Sequence, residues 1–218
     1  MTVKNFIKIK EEIKEKIENL KFNHYDPCIV AVSKTFQMSH INHLLDYGHL
    51  HFGENKVQEA IQKWSEVKEN KKEIKLHMLG KLQTNKVKLA IRLFDYIHSV
   101  DNMKLVEKIA NEQTKINRII KIFLQVNIGE EDQKSGANLN ELDSLFNFCK
   151  DCNLDVIGLM CLPPFDKNPD EYFQKLKNLN DNFKFKDISM GMSQDYLNAI
   201  KYKSTFLRIG SKIFGERN

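Results

Sequence analysis

Eight short apolar runs recur along this chain, and segments of helical spacing separate them. The runs are Ile29-Val30-Ala31-Val32, His51-Phe52-Gly53, Leu76–Gly80, Tyr96–Val100, Ile119–Ile128, Val156–Cys161, Asp187–Met190 and Thr205–Ile209. Apolar, β-branched runs without polar alternation read as strands buried on both faces. Strands that alternate with helices give a parallel sheet. Eight such units in 218 residues suit an α/β chain closed into a (β/α)8 TIM-type barrel with little decoration. An open doubly wound sheet is the alternative, but no G-x-G-x-x-G follows the first run. An extra amphipathic helix over 3–20, carrying Phe6, Ile9, Ile13, Ile17 and Leu20, precedes the first strand. No linker or low-complexity stretch interrupts the pattern, so residues 1–218 read as one domain.

Capping residues place the helix starts. Thr84 is expected to cap the helix with Val87, Ala90, Ile91 and Phe94, and Asp101 the one with Leu105, Val106 and Ile109. Asn138 with Glu141 forms a candidate capping box. Asn168-Pro169 reads as a helix start with proline at its first position. Ser193 is expected to cap a short helix with Tyr196, Leu197 and Ile200.

Composition narrows the function. A net charge of +5, from 34 Lys+Arg against 29 Asp+Glu, is spread along the chain. That attracts anions such as phosphates without arguing for nucleic acid. No run is long enough to span a bilayer. The acidic residues Glu11, Glu12, Glu15 and Glu18 argue against an N-terminal presequence, so a cytoplasmic location is expected. Cys28 and Cys161 lie in apolar runs and read as core. Cys149-x-x-Cys152 has no second such pair and reads as a helix end rather than a zinc site. His40 and His43 have no carboxylate at a useful spacing and read as a surface helix, so no metal site is expected.

In barrels of this kind the chemistry collects at the C-terminal ends of the strands. Lys34 ends the first strand, where burying an unpaired ammonium is costly for packing. Desolvation or a nearby cation instead exposes a nucleophilic amine. The bland alternative is a lysine that snorkels to solvent. Gly191 and Ser193 follow the seventh strand, and Gly210 and Ser211 follow the eighth. Loops there often bind phosphate through backbone N–H groups and hydroxyls, although capping serines and turn glycines are also common by themselves. A nucleophilic lysine with a phosphate cradle suggests a phosphorylated carbonyl ligand, and pyridoxal 5'-phosphate (PLP) is the natural candidate. Arg208, at the end of the eighth strand, suits the pyridine nitrogen, which a donor-only arginine requires to be unprotonated. The alternative for Arg208 is an ion pair with Glu54, Asp101 or Glu216.

The motifs run in a recognisable order: Ala31-Val32-Ser33-Lys34, Phe52-Gly53-Glu54-Asn55, His77-Met78-Leu79-Gly80, Gln83-Thr84-Asn85-Lys86 and His98-Ser99-Val100-Asp101. Lys134-Ser135-Gly136, Gly158-Leu159-Met160, Ser189-Met190-Gly191-Met192-Ser193 and Arg208–Gly215 complete the set. The chain resembles, over nearly its whole length, the PLP homeostasis protein family, relatives of the alanine racemase N-terminal barrel. The resemblance implies PLP held as a Schiff base on Lys34, with Arg208 facing the pyridine nitrogen. It implies Ser193, Gly210 and Ser211 at the phosphate, Asn55 and Met160 lining the ring, and Ser189 in the same set. Ser211 stands where threonine is common in the family, and the hydroxyl is kept. His77, read as a barrel-interior residue, and Lys134, read as a loop cation, are secondary candidates. The implied role is to carry or regulate PLP in intracellular vitamin B6 balance, with apo-PLP enzymes as acceptors and a monomeric form expected. Two further readings stand beside it. One is a PLP-dependent amino-acid racemase, which needs a second acid/base group that the racemases take from a separate β-domain, and no such domain is recognised here. The other is a regulatory module that uses the barrel to bind a protein partner.

Overall fold

The computed structural model describes residues 1–131 and 135–216. Strands β1 (Cys28–Val32), β2 (His51–Glu54), β3 (Lys75–Met78) and β4 (Tyr96–Val100) are followed by β5 (Lys121–Val126), β6 (Asp155–Cys161), β7 (Asp187–Met192) and β8 (Phe206–Ile209). All pair in parallel in sequence order, and β1 closes the barrel on β8 through the register Ala31↔Ile209. The helices are α1 (Thr2–Asn19), α2 (Met38–Asp46), α3 (Val57–Asn70), α4 (Val87–Leu93), α5 (Met103–Lys115), α6 (Leu142–Asp151), α7 (Pro169–Asn182), α8 (Tyr196–Lys201) and α9 (Ser211–Phe214). The fold is thus the (β/α)8 barrel with an extra N-terminal helix that the alternation predicts. No helix among the described residues is long and apolar enough to cross a membrane.

The extra helix has a structural reason. The last helix of the barrel, α9, has only four residues and cannot cover its sector. Helix α1 contacts α2 on one side and α8 and α9 on the other, so it occupies the place of a long eighth helix. It buries Phe6, Ile9 and Ile13 there. Each such side chain contributes about 1.5–3 kcal/mol on burial. Asn5 Nδ2 donates to Ile213 O at 3.1 Å, and the Tyr196 hydroxyl donates to Glu12, which ties α1 to the last two helices.

Two apolar layers hold the barrel. The larger lies between strands and helices and includes Ile29, Ala31, Trp64, Leu76 and Leu207. The smaller, inside the barrel, contains Val30, Tyr96, Phe123, Met160 and Phe206. Two imidazoles stack in this inner layer, His77 on Tyr96 at 4.2 Å and His98 on Phe123 at 4.3 Å between ring centroids. Cys161 is buried as expected, whereas Cys28 is only half-buried at the barrel's lower rim; Cys149, near the end of α6, is buried as well.

Several helix starts differ from the capping expectations. Asn102, not Asp101, caps α5 by accepting from Leu105 N at 2.9 Å, because Asp101 turns its carboxylate to Gly136 N. Thr84 opens a short 3-10 turn ahead of α4 and caps nothing with its side chain. Asn138 and Glu141 bond each other through their side chains at 3.1 Å instead of capping the backbone, and a 3-10 turn precedes α6. The Asn168-Pro169 start of α7 forms as read, with Asn168 accepting from Asp170 N. Asp195, not Ser193, stands at the start of α8, since the Ser193 hydroxyl is engaged elsewhere.

Candidate functional site

The C-terminal ends of the strands surround an upper cleft of about 330 Å³. Lys34, Asn55, Met160, Ser193, Arg208, Gly210 and Ser211 all line it. Seven residues from five strand ends thus meet in one place. Val32, Leu79, Met192 and Leu162 complete an apolar wall, and Phe165 stands 85% exposed at the rim. Val32, Leu79 and Met192 belong to the strand-end motifs, whereas Leu162 and Phe165 carry no chemical signature in the sequence. The volume lies at the small end of ligand pockets.

Lys34 follows β1 and is half-buried. Its turn is held from outside the barrel. Thr35 sits at φ 69°, a left-handed conformation costly for a β-branched residue. Its N–H donates to Glu59 Oε1 at 2.5 Å. Lys63 Nζ, on α3, donates to Ser33 O at 2.9 Å and Phe36 O at 3.4 Å, so one ammonium grips the main chain on both sides of Lys34. Lys63 also pairs with Glu59 at 2.9 Å and with the fully buried Glu54 at 2.7 Å. Glu54 Oε1 further accepts from Ser33 Oγ at 2.7 Å and Trp64 Nε1 at 3.0 Å, while its Oε2 is buried with no hydrogen-bond partner. No local spacing marks this support, since Lys63 stands 30 residues from the Ser33 carbonyl that it holds.

Asn55 follows β2 and is fixed by Gly80. A Cβ on Gly80 would fall 2.3 Å from Asn55 O, so only glycine lets the two loops approach. Gly191 plays the matching part after β7: its φ is +90°, and a Cβ there would lie 2.6 Å from that of Ala199. The turn brings Ser193 across to the end of β8, where its hydroxyl accepts from Gly210 N at 3.2 Å and Lys212 N at 3.4 Å. The two glycine-serine segments that the sequence separates by 17 residues are therefore one structure.

Arg208 is 4% exposed. Its Nη1 donates to Ser189 Oγ at 2.6 Å and its Nη2 to Cys161 O at 2.8 Å. Glu54 and Asp101 are engaged elsewhere, and among the described residues Arg208 makes no ion pair. Burial lowers its pKa, with Cys161 and the half-buried Asp195 carboxylate opposing that shift. Burial in turn pushes the Asp195 carboxyl up. A guanidinium has five N–H donors, and two protein acceptors leave the rest for a ligand acceptor in the cleft. A buried cation held only by neutral oxygens, beside a half-buried lysine and two serines, fits a planar, phosphorylated aldehyde with a ring nitrogen.

Ser189 does not line the cleft. It is fully buried one layer below, under Arg208. His77 is also fully buried inside the barrel, with both ring nitrogens hydrogen-bonded, as its interior reading implied. Lys134 lies outside the described residues. No cluster of His, Cys, Asp or Glu suited to a metal occurs among the described residues.

Residues 10–218 match the family model of the alanine racemase N-terminal domain. The pyridoxal phosphate homeostasis protein of Aquifex aeolicus is 36% identical, over 87% of this chain and 86% of its own. That of Haemophilus influenzae is 34% identical over 98% and 94%. Among solved structures, PipY of Synechococcus elongatus PCC7942 with PLP bound superposes with a TM-score of 0.80 at 30% identity, covering 93% of this chain and all of that one. An alanine racemase of Clostridium difficile 630 superposes at 0.70 with 14% identity over 95% of this chain and 56% of its own, a likeness of fold alone. The strand-end motifs, the closed barrel and these relatives agree: the chain belongs to the alanine racemase N-terminal domain family and, within it, to the pyridoxal phosphate homeostasis proteins.

Proposed function

We propose that this chain binds PLP in the upper cleft, holds it as a Schiff base on Lys34, and carries or regulates it rather than catalysing a reaction of its own. The observation that carries the reading is Arg208, a buried cation with no ion-pair partner among the described residues, sharing one cleft with Lys34, Ser193 and Ser211. The homeostasis names of the relatives and the PLP in PipY support it. Bound there, the cofactor supplies an aldehyde that condenses with an amine and a ring that draws electrons from the attached carbon. Lys34 supplies the amine. Ser193, Ser211 and the main chain at Gly210 hold the phosphate. Arg208 donates to the ring nitrogen and keeps it unprotonated, while Asn55 and Met160 line the ring and Leu79 and Leu162 keep water from it. Residues 1–218 act as one domain, with apo-PLP enzymes as acceptors, and the working form is a cytoplasmic monomer.

Phosphate contacts should dominate affinity. Hydrogen bonds to a charged group contribute about 1.5–3 kcal/mol each, so losing two weakens binding by about a hundredfold at the least. Titration with pyridoxal and with PLP is expected to show at least that gap, and equal affinities would remove Ser193, Gly210 and Ser211 from the anion site.

The carrier role is tested against the racemase reading by α-proton exchange of L- and D-alanine in deuterated water. Racemisation needs two positioned acid/base groups, each worth roughly 10²–10⁴-fold. The cleft offers Lys34 but, among the described residues that line it, no tyrosine or histidine for the second face. Exchange by the loaded protein is expected far below the typical enzymatic rate of about 10 per second. Turnover near that rate, abolished in Lys34→Ala, would make the protein an enzyme.

A further inference from the structure

Beneath Arg208 a line of hydrogen bonds runs through the barrel interior to its other end. Ser189 Oγ, which accepts from Arg208, lies 2.9 Å from His98 Nδ1. His98 Nε2 lies 2.9 Å from His77 Nδ1, and His77 Nε2 lies 3.0 Å from His51 Nδ1. The residues come from β8, β7, β4, β3 and β2 in turn. His51 is half-buried and lines a lower cleft of about 890 Å³ between α1 and the N-terminal ends of the strands. We propose that His51, His77, His98 and Ser189 form one proton-coupled relay that positions Arg208 and transmits the protonation state of His51 to the floor of the upper cleft. Its last link rests on the ligand reading given above; the relay itself does not.

Donor and acceptor chemistry fixes the direction of the line. Arginine only donates, so Ser189 must accept from it. The serine proton then has one buried acceptor in reach, His98 Nδ1, since the Ser189 hydroxyl makes no other hydrogen bond among the described residues. A neutral imidazole that accepts at Nδ1 donates at Nε2. His98 therefore donates to His77, and His77 to His51, with all three rings protonated on Nε2. The reverse register would leave a buried hydroxyl proton unpaired, which is unfavourable. Burial holds His77 and His98 well below the ordinary imidazole range, with the neighbouring histidines and Arg208 adding to it, so both are neutral near pH 7.

A proton on His51 breaks this order. Nδ1–H would then meet His77 Nε2–H, two donors face to face. The stable alternative has His77 and His98 protonated on Nδ1, and the serine proton turned away from His98. The change takes up one proton from water and reaches Arg208 through Ser189. The charges around His51 set where it occurs. From β3 it is faced by His77 and Lys75, and from the start of β4 by Asp95 and Tyr96. Across the lower cleft stand Lys10, Glu11, Lys14 and Glu18 of α1, with Tyr25, Asp26 and Cys28 ahead of and in β1, and His49 beside it. Burial lowers the His51 pKa most, Lys75 lowers it further, and Asp95 opposes both, so the proton is taken up on the acid side of the ordinary histidine range.

Histidine-selective NMR of the full chain without ligand reads the tautomers directly. Near neutral pH all three rings are expected as Nε2–H. As the pH falls, His77 and His98 are expected to cross to Nδ1–H with the midpoint of His51. His98 on Nδ1–H at neutral pH, or unmoved as His51 titrates, would overturn the relay. In His51→Gln, which changes only the half-buried end, the acid transition of His77 and His98 is expected to vanish; its persistence with the same midpoint would count against it. A second arm follows the visible absorbance of PLP-loaded protein through the same pH range. A band shift at the His51 midpoint, lost in His51→Gln, supports the coupling to the upper cleft, and the same shift in both proteins removes that coupling. Failure to load PLP at all would fall on the function proposed above, while the NMR result still decides the relay.

Discussion

Borohydride reduction of the PLP-loaded protein is expected to fix pyridoxyl mass on the peptide that contains Lys34, and Lys34→Ala is expected to lose the covalent label completely. Lys34 is the one lysine whose side chain lines the upper cleft among the described residues. The chain holds it there through a left-handed Thr35 and the grip of Lys63 on the carbonyls of Ser33 and Phe36. An amine held at the end of a buried strand, next to donors for a phosphate, is placed for condensation with a bound aldehyde. The Ser193, Gly210, Ser211 and Arg208 contacts are untouched by the substitution, so Lys34→Ala should retain part of its non-covalent affinity. Label on a different lysine of the native protein, or undiminished label in Lys34→Ala, would end the assignment.

Lys63→Met is expected to lower stability by about 3–5 kcal/mol, the usual cost of removing one partner of a buried ion pair. Glu54 is fully buried, and Lys63 supplies its only charged partner among the described residues. Without it a carboxylate stays in the interior with two neutral donors, Ser33 and Trp64. For a chain of this size the loss corresponds to roughly 6–20 °C in Tm. The double variant Lys63→Met, Glu54→Gln should recover part of it, because the uncompensated charge is gone. Thermal unfolding of the single and double variants decides the matter. A Tm within about 2 °C of the native protein in Lys63→Met would show that Glu54 finds another partner or a proton, and that the Lys34 turn does not depend on the pair.

The parts of the site that were legible in the sequence share one origin. Lys34, Asn55, Met160, Ser193, Arg208, Gly210 and Ser211 each sit just at or past the end of a strand. In a closed parallel barrel all such positions converge at one mouth, whatever their separation along the chain. The eight strands were legible because double-sided burial leaves short, mostly apolar runs between segments of helical spacing, and α1 because Phe6, Ile9 and Ile13 repeat at helical spacing. That same burial on both faces removes the regular alternation that would tell which residues face inward, so depth along a strand was not legible. Ser189 and Arg208 both lay at strand ends in the sequence, yet Ser189 faces the interior below the cleft and Arg208 its floor. Helix starts were decided by competition for each side chain: Asp101 serves Gly136 and Ser193 serves Gly210, and so neither caps the helix that follows it. The turn-gripping Lys63 and the histidine line depend on partners 30, 26, 21 and 91 residues away. No local spacing encodes such pairs: Lys63 reaches the turn because α3 packs outside the strands, and the histidines meet because closing the barrel brings β2, β3, β4 and β7 around one buried axis.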